Sequence, residues 1–355
     1  MIVAAEQRYR GSAMEDYEQL VLFASQEGQE KKTSKKLTLG QISQKALEGF
    51  IETSIPFIGC DYKEVYPTLS TILPKEKIVF SDFPLRIAII CEMLCSAICH
   101  QINWDFLRKV VRDRTIMSFE WLSPVHLSEI SEDEVSELLS GYSKPERVQK
   151  KERAALLHSL GRWLSKYDPV EQVFLEKDKG LLPFEKIEEK ILECEVFSND
   201  PEKKKVRLLI QKLSALYGLE GLAQYYQPAI DYHLVRVYLR RGLIIAKTQY
   251  ANNLLEDLGT ERKESTMGAI RQLCAHTLSE ISEYTGLDIS TVNQIEWCIG
   301  RSVCVPEEPD CFLQSKESQW LNESFRVCPF FNTCAARTNK RFLGFEEPTY
   351  KGYSY

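Results

Sequence analysis

Four cysteines near the end of the chain stand in a C-x6-C-x16-C-x5-C array: Cys304, Cys311, Cys328 and Cys334, bounding CVPEEPDC and CPFFNTC. The chain holds eleven cysteines, an odd count that argues against a complete disulfide framework. Its opening, MIVAAEQRYRGSAMEDYEQL, carries acidic residues where a signal peptide needs an uninterrupted apolar stretch. No run of about 18 apolar residues appears, so a cytoplasmic protein with no membrane span is expected. Thiols stay reduced in that compartment, and four of them on one loop-rich segment point to an inorganic core rather than to staples. Four thiolates can close a tetrahedral zinc site or hold a four-iron, four-sulfur (4Fe-4S) cluster. Zinc ribbons favour C-x2-C knuckles, which are missing, and wide spans suit the larger core. Cys298, about one turn before the array, reads as a core thiol.

The rest of the sequence is globular in composition, 44% hydrophobic and 27% charged, and its apolar residues recur at helical rather than strand period. The expected class is all-α. Residues 1–75 form an N-terminal extension that includes the polar stretch QEGQEKKTSKK; 76–295 form a helical body, 296–340 the cysteine loop and 341–355 a tail. LRIAIICEMLCSAICHQINWDFLRKVV reads as one or two buried helices, with Cys91, Cys95 and Cys99 as small core residues on one face. ISEDEVSELLSG shows a Ser cap, an acidic first turn and a Gly stop, and KPERVQKKERAALLHSLGRWL reads as a further amphipathic helix. LPFEKIEEKILE followed by SNDPEKKKVRLLIQKL reads as helix, hairpin, helix, with Asp200 as cap, Pro201 in the first position and Val206, Leu209, Ile210 and Leu213 facing the core.

A net charge of −6 gives no sign of a polyanionic partner, but charge is unevenly spread. Between Pro201 and Lys247 nine basic residues face three acidic ones. Three lysines in the first turn of a helix oppose its dipole, and a phosphate there would relieve the conflict. A solvated charge run is the alternative.

IEWCIGRSVCVPEEPDC followed by CPFFNTC resembles the end of the helix-hairpin-helix DNA glycosylases of the endonuclease III type. In that family a helix ending in Gly-Arg leads into C-x6-C-x2-C-x5-C around a 4Fe-4S cluster. The outer spacings match, and sixteen residues, FLQSKESQWLNESFRV, stand here where the family has two. AIDYHLVRVYLRRG resembles the family's Val-Asp-Thr-His segment, which maps the catalytic aspartate onto Asp231, 73 residues before Cys304. The usual Gly-containing hairpin is replaced by SNDPEKKKVRLL, closer to the archaeal 8-oxoguanine glycosylase branch.

The resemblance spans about residues 85–340 and implies a DNA glycosylase of base excision repair, a monomer acting on DNA. It would flip a damaged or modified base into a pocket of the helical body. Asp231 would stabilise the sugar cation as the N-glycosidic bond breaks, and it would equally serve as a helix cap. Lys204, then Lys205, would be the amine nucleophile if strand cleavage follows, or would merely contact phosphate. Lys212 has the conventional distance from Asp231 but sits late in its helix. Lys203, Arg301 and Arg337 would meet the DNA backbone, and Gln101, Asn103 and Trp104 would meet a base or else end a helix and pack in the core. His233 reads as structural, and the remaining histidines form no ligand pair. Two other readings stay open: a non-catalytic iron–sulfur nucleic-acid-binding protein, and a hydrolase of free modified nucleosides or nucleotides.

Overall fold

The computed structural model describes residues 50–52, 61–74, 79–200, 203–216, 218–248, 251 and 264–345. The polar stretch of the extension, Pro201 and the end of the C-terminal tail lie outside the described residues. Among the described residues helices dominate, and strands form two short antiparallel pairs. The chain divides into two compact units. Of the described residues, one comprises Ser70–Asp231 with Gly286–Ile295; the other takes in those up to Leu69, Tyr232–Thr285 and those from Glu296 to Phe345.

The first unit is built from α2 (Leu85–Ile98), α3 (Trp104–Met117), α4 (Pro124–Glu129), α5 (Glu132–Leu138), α6 (Lys150–Lys166), α7 (Phe184–Leu192) and α8 (Lys204–Leu213). Helix α2 is buried almost throughout from Ala88 to Ile98, which is why its sequence is apolar on all sides. Cys91 and Cys95 are core residues there. Ser131 and Glu134 close a reciprocal capping box at the start of α5, and Gly141, at φ 85°, ends that segment in the left-handed region. Gly161 lets α6 meet α4: a Cβ there would stand 2.3 Å from the backbone nitrogen of Ser128. Val206, Leu209, Ile210 and Leu213 of α8 are all buried against this core, as their spacing implies.

The start of α8 differs from the expectation. The helix begins at Lys204, preceded by Lys203 in the left-handed region at φ 52°. Asp200 still caps it, but from farther back: its Oδ2 accepts the backbone N–H of Lys205 at 2.7 Å. A carboxylate four residues before the first turn also offsets the lysines that oppose the dipole.

The second unit contains β1 (Phe50–Glu52), most of α1 (Tyr62–Ile72), α9 (Tyr232–Arg241), β2 (Ile244–Ala246), α10 (Glu264–Thr285) and the second half of α11 (Ile289–Ser302). Strands β1 and β2 pair antiparallel, Phe50 opposite Ala246 and Glu52 opposite Ile244. Gly300 in α11 permits a close crossing with α9, since a Cβ there would lie 2.9 Å from both the Cβ and the carbonyl oxygen of His233. The Gly of the Gly-Arg helix end is therefore a contact requirement.

Candidate functional site

The four cysteines of the array belong to the second unit, and none is in a disulfide. Cys304 follows α11, its N–H donating to the carbonyl of Ile299 at 2.8 Å. The Cys328 N–H donates to the Cys311 carbonyl at 2.8 Å, so the sixteen inserted residues leave and return at the same place. The sulfurs share one electrostatic neighbourhood. Burial pushes the Cys311 thiol up to about 11, with the charges of Cys334 and Cys304 adding to the shift. Cys328 is raised by burial and by Cys311, Cys334 and Cys304, and Cys334 by burial and by Cys304. Among the described residues, no group of three or more His, Cys, Asp or Glu side chains is set as a metal ion would need it. Thiols around one zinc would lie within about 4 Å of each other, given a Zn–S bond of about 2.3 Å and tetrahedral angles. As placed, these side chains form no such single-ion site. Four free thiols in one neighbourhood are a donor set that an iron–sulfur core would take.

Arginines that the sequence reading counted only as charge hold this segment. Arg236 of α9 donates from Nε to the Cys304 carbonyl and from Nη2 to the Gly300 carbonyl, each at 2.7 Å. Arg240 donates to the carbonyls of Phe345, Val305 and Pro306 at 3.1, 2.7 and 2.8 Å, and its Nη1 lies 4.0 Å from Cys304 Sγ. Arg241 pairs with both oxygens of Glu296, at 2.8 and 2.9 Å, and also meets the Tyr62 hydroxyl. Its guanidinium lies 3.5 Å from the centre of the Phe330 ring, between the last two cysteines in sequence. The visible signal was Arg236 and Arg240, four residues apart on α9 among Leu234, Val235, Val237 and Leu239, which on a core-facing stripe implies carbonyl partners.

The expected basic run is accordingly corrected. Of its nine members, Lys204, Lys205, Lys212, Arg236, Arg240 and Arg241 are buried. A buried cation must be paired or hydrogen-bonded, and Lys205, 1% exposed, donates from Nζ to the Ala97 carbonyl at 2.9 Å. Burial lowers its pKa, the direction a nucleophilic amine requires. Lys203 is tied up differently, its Nζ 3.0 Å from Glu188 Oε1.

Asp231, the last residue of its segment of the first unit, directly precedes α9 and is buried. The strand of chain leading to it is pinned. Arg207 donates to the Pro228 carbonyl at 2.7 Å, and Asn293 Oδ1 accepts the Ala229 N–H at 2.7 Å and the Tyr226 hydroxyl at 3.0 Å. Burial raises the pKa of Tyr226, and the charge of Asp231 adds to that rise, which sets the carboxylate near a phenol that stays neutral.

Gln101 and Asn103 lie in the break between α2 and α3. Asn103 caps α3, its Oδ1 accepting the Phe106 N–H at 3.0 Å, and Gln101 adopts φ 53°, uncommon for a non-glycine residue. Its side-chain oxygen accepts from Gln149 at 3.3 Å, and Gln149 in turn meets His100 Nε2 at 3.0 Å. Arg153 braces the break by donating to the carbonyls of Ile98 and His100. Trp104 is half-buried, with Arg108 and Lys212 each 5.8 Å from its ring centre. Arg301 stacks on Trp297 at 4.9 Å and Arg337 on Phe331 at 3.9 Å. His233 Nδ1 meets Arg236 Nη2 at 3.0 Å, a structural part, and Cys298 is buried as expected. No family model matches the chain, and no curated protein matches it.

Proposed function

We propose that the protein is a DNA glycosylase that cleaves the N-glycosidic bond of a damaged or modified base, with Asp231 as its carboxylate and Cys304, Cys311, Cys328 and Cys334 holding a 4Fe-4S cluster. The observation that carries this proposal is the joint service of one short helix. Asp231 stands immediately before α9, while Arg236 and Arg240 of α9 grip the backbone on which Cys304 sits. A motif order expected from the sequence alone thus coincides with a physical connection that the resemblance did not specify.

When bound, the cluster supplies a rigid tie across the loop. The chain's own residues do the rest. The side chains of Arg207 and Asn293 hold the backbone at Pro228 and Ala229, just before Asp231. A carboxylate held this way stabilises the positive charge that develops on the sugar carbon, with no reorganisation cost at that moment. It can also take a proton from the attacking water. For strand cleavage Lys204 is the lead amine by the match of SNDPEKKKVRLL to the branch it resembles, and Lys205, whose pKa burial lowers, is the next.

Base release from a panel of duplexes, each carrying one oxidised, deaminated or alkylated base, tests the proposal. We expect Asp231→Asn to lose at least about a hundredfold in rate, the scale of one electrostatic stabiliser, with duplex affinity kept. Absence of base release by the native chain across the panel, with duplex binding intact, favours the non-catalytic binder instead. Turnover of free nucleosides in preference to duplex favours the third reading.

A further inference from the structure

The inserted residues 312–327 carry an exposed aromatic that no part of the mechanism above uses. Phe312 is 62% exposed, and its ring packs on Phe331 with centroids 5.5 Å apart at 58°. The guanidinium of Arg337 lies 3.9 Å from the same Phe331 ring, held by hydrogen bonds to Asn332 Oδ1 at 3.1 Å and to the Phe331 carbonyl at 3.4 Å.

This group is rigid. Phe312 follows Cys311, whose carbonyl is bonded to the Cys328 N–H. Leu313, next in sequence, is buried in a left-handed conformation at φ 55°. The carboxylate of Asp310 accepts from the N–H groups of Gln314 and Ser315, each at 2.8 Å, and from the Ser318 hydroxyl at 2.6 Å. Trp320 ties the loop back to Ser302 at 3.0 Å. With its neighbours anchored inward, the Phe312 ring stands in water with little conformational freedom left to lose on binding.

Charge identifies the partner. From Arg326 to Phe345 the chain has four basic residues, Arg326, Arg337, Lys340 and Arg341, and no acidic one, and all four are exposed. The acidic residues of the loop, Glu307, Glu308, Asp310, Glu317 and Glu323, all precede this stretch. A presented aromatic face next to a stacked guanidinium and exposed cations matches the way proteins hold single strands: bases stack on the rings and phosphates meet the cations.

We infer that Phe312, Phe331 and Arg337 form a stacking platform for an unpaired nucleobase, so that the inserted loop gives the protein a single-stranded nucleic-acid contact of its own. This rests on the nucleic-acid partner of the proposed function and not on any chemistry at Asp231.

Fluorescence anisotropy with a labelled oligothymidylate of about 16 nucleotides tests it, with base release from damaged duplex scored in parallel. Phe312→Ala is expected to weaken binding about tenfold, the scale of one stacked base. Phe312→Leu should lose as much, because it keeps apolar bulk but has no π face, and Phe312→Trp should restore binding. The salt dependence of the Phe312 variants should match the native slope, while Arg337→Ala should lower it by about one. Native-like circular dichroism controls for folding, which an exposed side chain does not threaten. No measurable affinity of the native chain for the oligonucleotide overturns the inference, as does undiminished binding by Phe312→Ala or Phe312→Leu. Weakened binding by these variants from a chain that processes no damaged duplex upholds the platform and removes the glycosylase reading; robust processing with undiminished binding does the reverse.

Discussion

Arg240 and Cys304 are joined twice: Arg240 Nη1 lies 4.0 Å from Cys304 Sγ, and the same guanidinium donates to the carbonyls of the two residues that follow Cys304. The carbonyl of Arg240 in turn lies 3.6 Å from Cys334 Sγ. One residue of α9 thus touches the first and last cysteines of the array, through its side chain and its backbone.

Arg240→Lys keeps the charge but replaces a planar fork of five donors by a point with three. At least one of the buried carbonyls of Val305, Pro306 and Phe345 then loses its partner, at about 1–3 kcal/mol. We expect the urea midpoint to fall accordingly and iron retention during purification to fall with it. An unchanged midpoint would separate α9 from the integrity of the cysteine segment.

Glu296 is fully buried and paired with Arg241, which is itself in contact with Phe330. Burial pulls the Arg241 pKa down, but the charges of Glu296, Tyr62 and Tyr66 together with the hydrogen bond to Glu296 hold it well above its ordinary value. Glu296→Gln leaves a buried cation uncompensated and should cost about 3–5 kcal/mol. The double variant Glu296→Gln with Arg241→Met should recover a large part of that loss in denaturant titrations, because removing both charges removes the desolvation problem. Additive losses would show that the pair acts independently.

His100, in the other unit, is held neutral: burial lowers its pKa to about 2, with the charges of Arg153 and Lys205 adding to the effect. A histidine whose folded value lies below its unfolded value of about 6.5 binds more protons when unfolded. Its contribution is therefore fully present above pH 6.5 and is lost as pH falls below it, at up to about 1.4 kcal/mol per pH unit. Stability measured between pH 6 and pH 4 should show this slope, and His100→Gln, which can still bond Gln149, should flatten it by about that amount. An equal slope in both proteins would assign the acid sensitivity to other groups.

Some of this could be read before any coordinates. The core face of α8 followed from four apolar residues at helical spacing, and the cap at Ser131 from a Ser ahead of an acidic first turn; both are local arrangements that a sequence displays. The crowding of four thiols in one segment was legible as well, but not their placement, which forms no metal-ion group among the described residues. The fate of the basic residues did not. Arg236, Arg240 and Lys205 read as surface charge because a sequence shows the donor and hides the carbonyls of Cys304, Val305 and Ala97 that receive it from 68, 65 and 108 residues away. The same blindness moved the start of α8, where Asp200 caps across a left-handed Lys203 rather than across an expected Pro201. Phe312 was passed over because an aromatic in a loop has no periodicity to mark whether it points in or out.

The measurement that bears most directly on the central claim is the iron and acid-labile sulfide content of the purified chain, taken with its absorbance near 400 nm. We expect about four irons and four sulfides per chain and a brown protein, with Cys311→Ser and Cys328→Ser each losing both colour and iron. A colourless, fully folded chain free of iron, or one carrying a single zinc, would contradict it.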